Sequence, residues 1–133
     1  MKRLTREWVQ KAEVDYRVAR KLAASRPPMN DPVCFSCQQL LEKYLKALLE
    51  ELGLTIPRTH DLEDLLDRLL PAYPQLRWLR RGCKFLIQFA VDPRYPGFHA
   101  SKRQAAAALR WAELGRDAAR AILGFPRRRK ASP

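Results

Sequence analysis

Asp31-Pro-Val-Cys-Phe-Ser-Cys-Gln-Gln-Leu-Leu-Glu-Lys-Tyr-Leu-Lys-Ala-Leu-Leu-Glu-Glu-Leu-Gly53 is the stretch whose reading decides the fold. Its apolar side chains at Cys34, Cys37, Leu41, Tyr44, Leu45, Leu48 and Leu52 recur in steps of three and four, the period of a helix and not of a strand. Gln39, Glu42, Lys43, Lys46 and Glu50 make the other face polar, with Glu42 placed four residues before Lys46 as a favourable pair. Asp31 suits the cap of the first free amides, Pro32 the first helical position, and Gly53 the left-handed residue beyond the last turn. The spacing predicts one helix of about six turns. Such a helix cannot hide its apolar stripe alone, so the remaining segments should pack along it.

Working outward, the segment from about Leu4 to Ala24 puts Trp8, Ala12, Tyr16, Ala19, Leu22 and Ala23 on one side. Arg6, Glu13, Arg17, Arg20 and Lys21 fall largely on the other. Asp15 intrudes on the apolar edge, where a carboxylate needs a partner or water, and it is either a supporting residue of a site or an Asp at the wet margin of the stripe. Arg26-Pro27-Pro28-Met29-Asn30 breaks the chain before the central helix. After that helix, Thr59 is expected to cap a short helix with an acidic first turn (Asp61, Glu63, Asp64) and a leucine face, ended by Pro71 and Pro74. From Gln75 to Val91 the apolar set Leu76, Leu79, Cys83, Leu86, Ile87 and Ala90 repeats the helical step, leaving Arg77, Arg80, Arg81 and Lys84 as a basic, exposed side. Asp92-Pro93-Arg94-Tyr95-Pro96-Gly97 follows as a constrained loop. Alanine-rich Ala100 to Leu123 is the last helix, its small residues permitting close approach, with Gly124 and Pro126 as the stop. The expected architecture is an all-α, antiparallel up-and-down bundle of four long helices plus one short helix.

With 133 residues the chain fits one domain, residues 1–125, followed by a basic tail, 126–133, expected to be disordered. Lys and Arg number 26 against 14 Asp and Glu, a net charge of +12 that favours phosphate-rich or acidic partners. Four of those cations, Arg127, Arg128, Arg129 and Lys130, stand in the tail, where a charge run reads as solvated chain. No apolar run is long enough to span a bilayer and Met1 to Glu7 lacks the apolar block of a signal peptide, so a cytoplasmic location without membrane contact is expected. Cys34, Cys37 and Cys83 are odd in number and lie on or beside apolar stripes, where a thiol acts as a small hydrophobe and stays reduced. Cys34-x-x-Cys37 lacks the further ligands of a zinc site and the βαβ context of a redox pair, so no metal and no cofactor are expected.

Only two histidines exist. His60, in Arg58-Thr59-His60-Asp61-Leu62, reads as a residue that helps fix the start of the short helix. His99 stands at the start of the last helix, behind the constrained loop, with Arg94 five residues earlier. A guanidinium and an imidazole near one helix start suit phosphodiester chemistry without a metal: the first binds phosphate in a bidentate way, the second takes a proton from a ribose 2′-hydroxyl. Local capping is the other reading of the same two residues.

Phe35-x-x-Gln38-Gln39-Leu40-Leu41-Glu42-Lys43-Tyr44-Leu45-Lys46-Ala47-Leu48, then Thr59-His60-Asp61-Leu62, then Arg94-Tyr95-Pro96-Gly97 and an alanine-rich last helix together resemble HEPN domains (higher eukaryotes and prokaryotes nucleotide-binding), from about Trp8 to Leu123. The resemblance implies a short helical bundle that dimerises, of a kind often encoded beside a nucleotidyltransferase as toxin and antitoxin. The family signature of an arginine, four to six residues, then a histidine is met by Arg94 and His99. It implies a metal-independent endoribonuclease in which Arg94 engages the scissile phosphate and His99 acts as base or orients the attacking 2′-hydroxyl. Apart from the resemblance, the edge position of Asp15 makes it the candidate supporting carboxylate, and the basic side of Arg77, Arg80, Arg81 and Lys84 is the candidate RNA contact. The Arg94-Tyr95-Pro96-Gly97 form is also similar to members that serve as non-catalytic modules binding a nucleotide or a nucleotidyltransferase partner.

Overall fold

The computed structural model describes residues 1–126, and the basic tail from Arg127 onward lies outside the described residues. Helix α1 spans Arg3–Ala23, α2 Asn30–Glu51 and α3 Leu62–Leu69. A helical run of mixed winding follows, with 3-10 turns at Pro74–Leu79 and Ile87–Phe89 on either side of α4, Arg80–Leu86. A 3-10 turn at Asp92–Arg94 leads to α5, Lys102–Leu123. There is no strand among the described residues.

Cross-chain contacts give the direction of each helix. Lys2 N–H donates to Glu51, Tyr44 Oη to Glu13, and Lys43 meets Asp15, so α1 runs antiparallel to α2. Gly82 lies under Trp111 and Leu79 near Gly115, so the mixed run is antiparallel to α5. Ala100 meets Asp31 and Arg120 meets Tyr44, so α5 runs in the same direction as α2. That is the up-and-down arrangement expected from the periodicities.

Helix α2 is the axis of the molecule. Beyond the predicted stripe, Ser36, Gln38, Glu42 and Lys46 are buried too, because α1, α3 and α5 surround it on several sides. The side read as a polar face from the sequence is therefore largely interior: Glu42 is 4% and Lys46 8% exposed. Burial is tolerated because every buried polar side-chain atom among the described residues has a partner. Glu42 accepts from Gln38 Nε2 (3.1 Å) and Lys46 Nζ (3.0 Å) and lies 2.8 Å from His60 Nδ1. Burial opposes ionisation of Glu42, but the hydrogen bonds from His60, Gln38 and Lys46 outweigh it and hold its carboxyl below the usual range.

Glu13 departs in the same way from its expected place on the wet side of α1. Its carboxylate accepts from Tyr44 Oη (2.6 Å) and from both Nε and Nη2 of Arg116 (2.7 Å each), tying α1, α2 and α5 together. Two predicted caps also move. Met29, not Asp31, precedes α2, and α3 is capped by Asp61, whose carboxylate accepts from the amides of Glu63 and Asp64, while Thr59 Oγ1 accepts from Asp61 N–H. Gly53 does take the left-handed conformation, at φ +74°. The three cysteines are fully buried, and desolvation pushes the Cys34 thiol up to about 12, in keeping with packing and not reactivity.

Candidate functional site

The two residues on either side of His99 are pinned. Phe98 stacks edge-to-face on Phe89, which stacks in turn on Phe85 (centroids 6.0 and 5.4 Å apart). Ala100 is held from α2: its N–H donates to Asp31 Oδ1 at 2.6 Å and its carbonyl accepts from Asn30 Nδ2 at 3.4 Å. Asp31 thus orders the approach to α5 and does not cap its own helix. Between these anchors His99 is exposed and lines an open cleft of about 570 Å³, whose other wall is the segment from Ser25 to Pro32 with Arg26 and Asn30.

Capping of α5 does not use His99. Ser101 Oγ accepts from Gln104 N–H at 3.0 Å, and Gln104 Oε1 accepts from Ser101 N–H at 2.8 Å, a reciprocal box that satisfies the first turn. The local-capping reading of His99 is thereby filled by another residue.

Arg94 ends the 3-10 turn after the mixed helical run, with its guanidinium 5.0 Å over the ring of Phe35, one turn beyond Asp31 on α2. Its charge has no carboxylate partner among the described residues. The first two turns of α2 therefore carry both signature residues, Arg94 through Phe35 and His99 through Asn30 and Asp31. Arg94 itself is not part of the cleft wall that holds His99.

Asp15 is elsewhere. It pairs with Lys43 at 2.6 Å, about 12 Å along α2 from Phe35 at a helical rise of 1.5 Å per residue, so the fold does not bring it to His99. Of the basic residues before the loop, Arg80 is held by Glu63 (3.0 Å) and by Asp67, whereas Arg77, Arg81 and Lys84 are exposed and have no acidic partner among the described residues. Phe35, Asn30, Asp31 and Arg26 were not legible as site residues in the sequence. Only Phe35 had a signal, as an aromatic just off the α2 stripe. His60 is 60% exposed beyond its contact with Glu42, and it precedes α3 by two residues instead of lying in its first turn. Among the described residues no three His, Cys, Asp or Glu side chains gather as metal ligands.

These features define a helical bundle that presents an arginine and a histidine at the N-terminal end of its central helix. The chain belongs to the HEPN domain family, whose model matches residues 5–120. Among solved structures it is similar to TT1696 from Thermus thermophilus, with 24% identity, a TM-score of 0.77, and coverage of 88% of this chain and 96% of that one, a likeness of fold. The comparison with curated proteins matched none of them. No helix of the described residues is long and apolar enough to cross a membrane.

Proposed function

We propose that this HEPN protein is a toxin-like, metal-independent endoribonuclease acting on RNA in the cytoplasm. The observation that carries the reading is the exposure of His99 between two pinned neighbours, with its capping role taken by Ser101 and an unpaired Arg94 seated on the same end of α2. Arg94 binds the non-bridging oxygens of the scissile phosphate and stabilises the charge that grows there. His99 removes the proton of the ribose 2′-hydroxyl, whose oxygen attacks the phosphorus and expels the 5′-oxygen, which takes a proton from water, leaving a 2′,3′-cyclic phosphate and a free 5′-hydroxyl.

Val91 and Tyr95, the latter 60% exposed, rim Arg94 with apolar surface suited to a protein partner. In this proposal the first such partner is a second copy, so that two pairs of Arg94 and His99 face one cleft. The same rim favours the second reading, a non-catalytic module that binds a nucleotide or docks on a nucleotidyltransferase antitoxin. The deciding experiment incubates the pure protein and its His99→Ala variant with a mixed RNA pool in excess chelator and reads the product ends. Cyclic phosphate ends that vanish in the variant support the ribonuclease. RNA left intact by both proteins removes free-standing cleavage and leaves the partner-binding module.

A further inference from the structure

From Arg68 to Val91 the chain holds no Asp or Glu but five cations, Arg68, Arg77, Arg80, Arg81 and Lys84. Asp64 of α3 pairs with Arg68, and Glu63 and Asp67 pair with Arg80. The other three cations are left without a carboxylate among the described residues. They share their side of the mixed run with an aromatic ring. Trp8 packs against the core and meets Lys46, and Trp111 covers Gly82, but Trp78 is 47% exposed.

Spacing sets the geometry of this surface. Trp78 and Arg81 are three residues apart, Arg77 and Arg81 four, and Lys84 lies one turn further, while Leu76, Leu79, Cys83 and Leu86 take the buried side. An exposed indole beside unpaired cations matches a ligand that offers flat aromatic faces and negative charges in alternation. Single-stranded RNA has both, because its bases are free to leave their stack. A duplex keeps its bases stacked inside and offers only phosphates.

We propose that Trp78, Arg77, Arg81 and Lys84 form a landing platform for single-stranded RNA, separate from the cleft of His99. Trp78 stacks on one base, and the three cations contact phosphates on either side of it. In chain order the run that carries the platform precedes the turn that carries Arg94. The inference rests on the RNA reading above for its ligand, but not on cleavage.

The test uses the full chain carrying His99→Ala, so that RNA is not consumed, and a labelled single-stranded oligoribonucleotide of about ten nucleotides. Tryptophan quenching and anisotropy are read together. The expected result is quenching that disappears with Trp78→Phe, an affinity about 10-fold weaker with Trp78→Ala, and partial retention of affinity with Trp78→Phe. Arg77→Ala or Arg81→Ala should weaken binding and reduce the slope of log affinity against log salt by about 0.7 each. A duplex of the same sequence should bind with no component that depends on Trp78. Unchanged affinity in Trp78→Ala overturns the platform, as does an equal effect on duplex and single strand. A shift to a smaller species in size-exclusion chromatography of Trp78→Ala overturns it too, by making Trp78 a subunit contact. Binding that depends on Trp78 alongside a wild-type chain that leaves RNA intact removes the ribonuclease and keeps the platform. Cleavage that proceeds at the same rate and affinity in the wild-type background with Trp78→Ala does the reverse.

Discussion

Two groups of charged residues in this molecule look alike in the sequence and are opposite in the structure. Midway along the bundle, Glu13, Tyr44, Arg116 and Arg120 form a closed knot: one carboxylate takes three short hydrogen bonds, and the Arg116 guanidinium lies 4.2 Å over the ring of Tyr16. At the N-terminal end of α2, His99 is held by its neighbours and Arg94 by the face of its guanidinium over Phe35, and neither side chain makes a hydrogen bond among the described residues. A side chain whose hydrogen-bonding capacity is used up inside the protein can only stabilise it. One that is positioned through its backbone, or by the flat face of a guanidinium on a ring, keeps its N–H groups for a ligand. The difference separates structural charge from available charge.

The largest expected effect tests the open end. His99→Ala or Arg94→Ala should lower cleavage of a defined RNA by about 100-fold or more while leaving the thermal midpoint within a degree or two, as expected for groups acting in the transition state. A large drop in melting temperature instead would make the end structural and erase the contrast. Next comes the knot. Glu13→Ala leaves Arg116 and a buried tyrosine hydroxyl without their acceptor and Arg120 without its ion-pair partner, and should cost about 2–3 kcal/mol in urea unfolding with little direct effect on RNA binding. Tyr44→Phe, which removes a single hydroxyl, should cost about 1 kcal/mol.

A third prediction concerns packing between these regions. A Cβ on Gly82 would come within 2.5 Å of the Trp111 ring, a rigid group wedged between α4 and α5. Gly82→Ala should therefore destabilise by about 1–2 kcal/mol despite the better helix propensity of alanine. No loss would mean that the seam yields easily.

The smallest effect is one of pH. Burial opposes ionisation of Glu13, but the hydrogen bonds from Arg116 and Tyr44 and the charges of Arg116 and Arg120 outweigh it, so its folded pKa lies below the ordinary 4.5. A depressed carboxyl contributes stability that is fully present above the unfolded value and is lost as pH falls through the folded one. Stability of the wild-type chain should hold steady above about pH 5 and decline as pH falls below 4.5. Glu13→Gln should flatten that part of the curve, and an unchanged slope would place the acid sensitivity elsewhere.

Much of the fold was legible because repeated apolar spacing is a property of the chain alone. The stripes of α1, α2, α3 and α5, the break at Pro27 and Pro28 and the left-handed Gly53 all follow from local rules. Arg94 and His99 were legible as a pair by their spacing, and their neighbourhood was not. Which polar side of α2 would be covered depended on how many helices surround it, and a single helix shows a polar face in the same way whether water or a neighbour's donors meet it. Asp31 likewise carries every local mark of a cap, but a carboxylate accepts from whichever amide arrives first in space. Here that amide is Ala100, 69 residues away.

By itself, then, the sequence determined an all-helical fold, its central helix, the order of its elements and the spacing of the arginine and histidine that precede the last one, because these rest on periodicity, turn chemistry and spacing. Tertiary structure alone decided that Glu13 and Glu42 are interior acceptors, that Arg80 is neutralised while Arg77, Arg81 and Lys84 are not, and that Asp15 answers to Lys43. Charge is carried by the residue, but its availability depends on which partner lies within reach, and only the packed chain sets those distances.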